Sequence, residues 1–297
     1  MSMSVQYRRR SSNTPEGMDE RPRPAYDGVM RAVTHTDRFA NELRRWRAAR
    51  RWSQLELALR AGTTQRHLSY MEQGRSRPGR AIVLRLAESL ELSLRERNAL
   101  LLSAGYAAVF SETPLESPEL QPVRDAIERI VSAHLPYPAV VVRPYGELVS
   151  ANSAFAVLTQ GAAAELLEPP INVLRLAVHP DGLARRVENL PEWGRHIIES
   201  LRAQAARSPD DRLDAFIAEL EGYVPSPPTG PEHVGFAVPL RLRCDEGELE
   251  LITTLTSFAN AVDVTLAELQ LEAFLPANQT STDILRRRTD LRIASPG

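Results

Sequence analysis

Four side chains within six residues, Gln65, Arg66, Ser69 and Tyr70, have the types and spacing needed to read base edges on duplex DNA. A glutamine amide matches the donor and acceptor of adenine, and an arginine fork matches the two acceptors of guanine. Gln65 and Arg66 stand at the start of a short helical pattern, the part of a helix that reaches deepest into a major groove. Around them, Gln54, Thr64, Arg75 and Arg77 suit contact with backbone phosphates, which positions a protein without conveying sequence information.

Such a face requires two short helices held at a fixed angle, and the stretch SQLELALRAGTTQRHLSYMEQG, from Ser53 to Gly74, contains the parts. Ser53 can cap the first helix, leaving Gln54 at its start with backbone N–H groups turned to a phosphate. Ala58 is small where two helices must approach. Gly62 sits where the chain leaves a helix in a left-handed conformation. Thr64 can cap the second helix, in which Leu68 and Met71 turn inward and Gln65, Arg66, Ser69 and Tyr70 are left outside. The competing reading is a helical hairpin with an idle, solvated face. Coincidence of caps, small residue, glycine and inward apolar positions weighs against it.

Charge supports the same chemistry. The chain has 297 residues and a net charge of −2, and all 36 of its cationic side chains are arginine. Residues 31–110 hold fifteen Arg against seven acids, while residues 111–297 hold sixteen Arg against twenty-seven acids. A basic module is thus joined to an acidic one, and a basic module suits a polyanion. No apolar run fits a signal peptide or a membrane span, so a cytoplasmic protein without membrane partners is expected. Cys244 is the only cysteine and has no thiol to pair with. The six histidines show no metal-ligand spacing, and there is no phosphate loop, GxSxG elbow or cysteine with a nearby base. No cofactor, metal or catalytic residue is expected.

Apolar periodicity divides the chain. Residues 1–34 are polar and broken by proline, and read as a disordered basic arm containing Arg8, Arg9 and Arg10. Residues 35–110 read as an all-α domain of five short helices, with Phe39, Leu43 and Trp46 on the first. The Pro- and Ser-rich residues 111–122 read as a linker. Residues 123–277 read as an α+β domain: an entry helix, a hairpin from AVVVR and ELVSAN, helices over roughly 152–221, then strands FAVPLRLRC, ELELITTLTSF and LQLEAFLP. That order suits an antiparallel five-stranded sheet folded over helices. Residues 278–297, with Arg286, Arg287 and Arg288, read as a disordered tail.

Residues 37–105, including the continuation EQGRSRP, resemble the phage-repressor (XRE) helix-turn-helix family. The resemblance implies sequence-specific binding to double-stranded DNA and a structural ion pair between Arg47 and Glu72. Tyr70 departs from the polar or basic residue often found at its position. One short recognition helix covers few base pairs, so a homodimer on DNA is expected.

Residues 118–276, with the segment INVLRLAVHPDGLARRVENLPEWGRHIIESLRAQAARSPDDRLDAFIAEL, resemble the C-terminal domain of MmyB-like transcription regulators. The resemblance implies a PAS-like fold and a pocket for a small apolar or fatty-acid-like ligand, with Asn172, Arg175, His179 and Trp193 as recurring residues. Arg175 suits a ligand carboxylate; equally, it could pair with an acidic neighbour, Trp193 could be core and His179 a capping or packing residue. The leading reading is a ligand-responsive transcription regulator. Its alternatives are a C-terminal enzyme fused to a DNA-binding domain, or a C-terminal domain serving only dimerisation or recruitment. Coupling between the domains is expected where the helix after Leu94 meets residues 123–135.

Overall fold

A computed structural model of the chain describes residues 35–226, 238–258 and 261–294. The arm at residues 1–34 and Phe236 of the expected third strand lie outside the described residues.

Five helices form the N-terminal domain: α1 (His35–Ala49), α2 (Gln54–Arg60), α3 (Gln65–Glu72), α4 (Arg80–Ser89) and α5 (Leu94–Ser103). Three of them, α2, α3 and α5, begin at a side-chain cap. Ser53 accepts from the Glu56 amide and Thr64 from the His67 amide, while Ser93 and Glu96 form a reciprocal capping box. Apolar residues at helical spacing, Phe39, Leu43, Leu57, Leu68, Met71, Leu86 and Leu100, meet in one fully buried cluster. Burial of each such side chain is worth about 1.5–3 kcal/mol, so this domain has a core of its own.

The C-terminal domain is α+β and PAS-like. Helix α6 (Gln121–Ala133) leads into β1 (Ala139–Arg143) and β2 (Glu147–Ala151), joined through a turn in which Tyr145 and Gly146 both have positive φ. Helices α7 (Ala156–Thr159), α8 (Val173–Val178), α9 (Leu190–Arg207) and α10 (Asp211–Glu221) follow. The remaining elements are β3 (Leu240–Cys244), β4 (Gly247–Ser257), α11 (Val264–Ala267), β5 (Gln270–Pro276) and α12 (Gln279–Ala294). The sheet order is β2-β1-β5-β4-β3 with every pairing antiparallel, so the last strand in sequence is the middle one in space.

Strand alternation gives this sheet two different faces. Ala139, Val141, Leu271 and Ala273 face α6, with Ile127 and Val131. Val140, Val142, Leu240, Leu242, Leu249, Leu251 and Phe274 face the other way, onto a core built with α8, α9, α10 and α12. That inner cover is incomplete. Leu251 is fully buried, but farther along β4 Thr253 is exposed and Leu255 is 60% exposed.

Three expectations are corrected. Residues 278–297 were expected to be a disordered tail, yet 279–294 form α12. Its Ile284 and Leu285 enter the core, and the fully buried Ser281 hydroxyl accepts the Glu250 amide at 2.9 Å. The arginine run masks two apolar residues that suffice to dock the helix. The segment 111–122 was expected to be a linker, but it is stitched to the C-terminal domain. Leu115 is buried, Thr113 donates to Asp263 through its amide at 3.1 Å and its hydroxyl at 2.7 Å, and Ser111 accepts the Val264 amide at 2.8 Å. In the third strand, Val238 and Pro239 stand outside the ladder, which begins at Leu240; Pro239 has no N–H to give to it.

Candidate functional site

Helix α3 presents Gln65, Arg66 and Tyr70 outward, with Ser69 partly covered, while Leu68 and Met71 are fully buried beneath. Gly62 (φ +61) and Gly74 (φ +69) bracket the helix in left-handed backbone, so its entry and exit both depend on glycine. Arg66 donates from Nε to the Tyr70 hydroxyl at 3.2 Å, and its guanidinium lies 5.4 Å from the centre of that ring. Because this bond uses Nε, the two terminal nitrogens remain as a fork. Ser69 accepts from Gln73 Nε2 at 2.9 Å. Past the helix, Arg75 and Arg77 are exposed, and Arg77 lies 5.9 Å from the Tyr106 ring.

Beneath this face, Glu72 is only 2% exposed and accepts three charge-assisted hydrogen bonds. Arg47 donates from Nε at 2.7 Å and from a terminal nitrogen at 2.9 Å, and Gln54 donates at 2.7 Å. Arg47 also donates to the Trp52 carbonyl at 2.8 Å. The hydrogen bond to Glu72 is the main cause that raises the Arg47 guanidinium above its ordinary pKa, against the opposing effect of burial. This cluster ties α1, α2 and α3 together and fixes the angle at which α3 is presented. The Gln54 side chain is committed to this cluster.

The four C-terminal residues singled out in the sequence are placed otherwise. Asn172 caps α8 by accepting the Arg175 amide at 2.8 Å, and donates to the Tyr145 carbonyl at 2.8 Å. Arg175 pairs with Glu219 through two bonds, at 2.5 and 3.0 Å, and this pairing holds the Glu219 carboxyl below its usual range. His179 accepts the Asp181 amide at 3.0 Å and meets the Tyr223 ring edge-on at 4.7 Å. Trp193 is 6% exposed within the core. Arg175 and Tyr223 thus both donate to Glu219, while His179 joins the cluster through its ring contact with Tyr223. Two surface hollows, of ≈ 570 and ≈ 220 Å³, open elsewhere. The first is lined by Glu192, Arg241, Glu248 and Glu250, the second by Glu116, Glu128 and Arg143, and none of the four residues lines either.

A polar seam joins the domains at residues that the sequence did not single out. Arg95 of α5 pairs with Glu268 at 2.6 and 2.9 Å and with Glu112 at 2.6 Å. Ser208 donates to Glu96, while Arg45 of α1 and Arg50 just past its end donate to the Pro209 and Arg207 carbonyls. The adjoining Asp210 accepts from the Tyr145 hydroxyl in the β1–β2 turn, and burial together with Asp210 raises that hydroxyl to about 12. The main contact of α5 with the second domain is through α11 and Glu268 rather than through residues 123–135. Helix α6 is occupied instead against β1 and β2. The seam uses α1 and α5 and none of the outward residues of α3.

Glu272 is a further residue the sequence reading passed over. It lies on the inner face of β5, between Val140 and Leu255 in the strand register, and among the described residues its carboxyl makes no hydrogen bond or ion pair. Desolvation pushes its carboxyl up to about 7. Alternation in LQLEAFLP sets Glu272 opposite the face of Leu269, Leu271 and Ala273, beside Gln270, so the sequence alone reads it as solvent-facing; the central place of β5 in the sheet is what gives that face a cover.

Comparison with known proteins agrees with this two-part architecture. The MmyB-like transcription regulator ligand binding domain matches residues 123–287, and the helix-turn-helix family matches residues 43–97. No curated protein matches the chain. Among the described residues no helix is long and apolar enough to cross a membrane. A helix-turn-helix implies DNA as partner, and the second domain implies a small-molecule ligand. With its ligand-binding domain spanning more than half of the sequence, the chain belongs to the family of MmyB-like transcription regulators.

Proposed function

We propose that this regulator docks the outward face of α3 into the major groove and that a small ligand with an apolar body, held in the C-terminal domain, changes its affinity for DNA. Gln65, Arg66, Ser69 and Tyr70 face the bases. Thr64, Arg75, Arg77 and the backbone of Gln54 face phosphates. Two copies bind together, each reading one half-site, since half-sites about 34–36 Å apart match two-fold proteins. A DNA partner supports the cytoplasmic setting expected from the sequence.

The observation that carries the coupling is the seam. Arg95, Glu96, Arg45 and Arg50 are all engaged by the C-terminal domain, and Tyr145 links the seam to the sheet through Asp210. A ligand shifts DNA affinity only by binding two arrangements of the chain unequally, typically by about 1–3 kcal/mol, or roughly 5- to 150-fold. The test measures operator affinity of the full chain with and without the small molecules recovered from the purified protein, beside Glu268→Gln. Ligand should shift the wild type and shift the variant less, and footprints should show paired half-sites. Equal wild-type affinity in both states would remove the sensing role.

A further inference from the structure

The inner face of the sheet carries a carboxyl that no side chain among the described residues answers. Cross-strand partners share a face, so Val140, Glu272 and Leu255 form one row across β1, β5 and β4, and Phe274 with Thr253 form the next. The row changes character along its length. Val140 is fully buried under the helical layer, Leu255 is 60% exposed, and Glu272 stands at the boundary between them. A carboxyl in such a place, itself partly exposed, loses part of its hydration without gaining a partner among the described residues, which costs stability unless something outside supplies the missing donor. The carboxyls at the two ends of the seam, Glu268 and Asp210, have donors, in Arg95 and Tyr145. Glu272 has none among the described residues.

We infer that the row Val140, Glu272 and Leu255 is a binding site for an amphiphile with a cationic amine head, which Glu272 receives, and an apolar body laid along Leu255 and Thr253. An ammonium supplies the charge-assisted donor that the carboxylate lacks. The open margin of β4 gives the body access from solvent and an apolar side chain to cover. A fatty acid presents a second carboxylate at the same point, and like charges close together oppose each other. This assignment deepens the ligand-sensing reading and rests on it, replacing the fatty-acid head implied by resemblance with a basic one.

The test uses the full chain with n-decylamine and decanoate as probes, below micellar concentrations, and reads binding by calorimetry and operator affinity by fluorescence anisotropy. Decylamine should bind the wild type more tightly than decanoate, and Glu272→Gln should weaken decylamine roughly 10- to 100-fold while decanoate holds or gains. Glu272→Leu provides a second neutral variant should the first fold poorly. Decanoate binding as tightly as decylamine, or decylamine affinity unchanged by both variants, overturns the site. The two readings fail separately. Glu272-dependent binding of decylamine with no change in operator affinity upholds the site and ends the sensing role, whereas an operator response to decanoate alone preserves sensing and ends the amine assignment.

Discussion

Replacing Glu72 with alanine should destabilise the N-terminal domain far more than a surface substitution would. The change removes a carboxylate that is 2% exposed and accepts from Arg47 twice, at 2.7 and 2.9 Å, and from Gln54 at 2.7 Å. Breaking one side of a buried pair typically costs about 3–5 kcal/mol, because the other charge is stranded. Here the Arg47 side chain is 20% exposed and keeps its bond to the Trp52 carbonyl, so part of its hydration is recovered and about 2–4 kcal/mol is the expected loss. For a domain of this size that corresponds to a fall in Tm of roughly 10–20 °C. Two domains need not melt together, so the signal must be local. Trp46 and Trp52 report on the N-terminal domain and Trp193 on the other, and a Trp193→Phe background leaves only the first pair of fluorophores. Glu72→Gln, which retains an acceptor, should cost about half as much. Arg47→Ala and Glu72→Ala together should cost less than their sum by about 1–3 kcal/mol. A Glu72→Ala midpoint within 2–3 °C of the parent, roughly the effect of a surface change, would refute the argument that this carboxylate holds the three helices together.

Arg66→Ala should lose about 1–3 kcal/mol on the preferred operator and relax preference at one base position, whereas Arg77→Ala should weaken all sequences alike and flatten the salt dependence. Competition binding against a randomised duplex pool separates these outcomes, and an unchanged base preference in Arg66→Ala would displace the reading face from α3. The Glu272 carboxyl predicts a pH dependence of stability. Its value is raised from an ordinary 4.5 to about 7, so between these the folded state binds more protons than the unfolded state, and stability falls as pH rises through that window. The ceiling is about 3 kcal/mol, and solvent access at the open margin reduces it to about 1–2. Glu272→Gln should therefore gain on the wild type in urea midpoint between pH 5 and pH 8; a constant difference would contradict the burial of this group.

Residue spacing alone was sufficient to place helix α3 of the helix-turn-helix, because its requirements are local. Ser53 and Thr64 cap the residues next to them, Gly62 serves its own φ, and Leu68 and Met71 define the buried side of a single helix; none of these depends on what lies elsewhere in the chain. Strand count and pairing sense were also legible, since β1 with β2 and β3 with β4 are hairpins between alternating runs. Other features depended on residues distant in sequence. Arg175 is a plausible ligand-binding residue until Glu219, 44 positions later, is seen to occupy it. The tail looked disordered because Arg286, Arg287 and Arg288 outweigh Ile284 and Leu285 in composition, although not in packing.

Local chemistry, then, determined which helices form, which face of α3 stays wet and which residue types stand there, because caps, glycine backbone and helical periodicity act over a few residues. Tertiary structure alone decided which charges are spent. Arg95 meets Glu268 across 173 residues, Tyr145 meets Asp210 across 65, and Glu272 finds no donor among the described residues, on a β5 threaded between β1 and β4 under a cover that stops short of Leu255. The physical reason is that a side chain's charge, once buried, depends on neighbours brought to it by chain topology, and those neighbours carry no periodicity from which they could be read in advance.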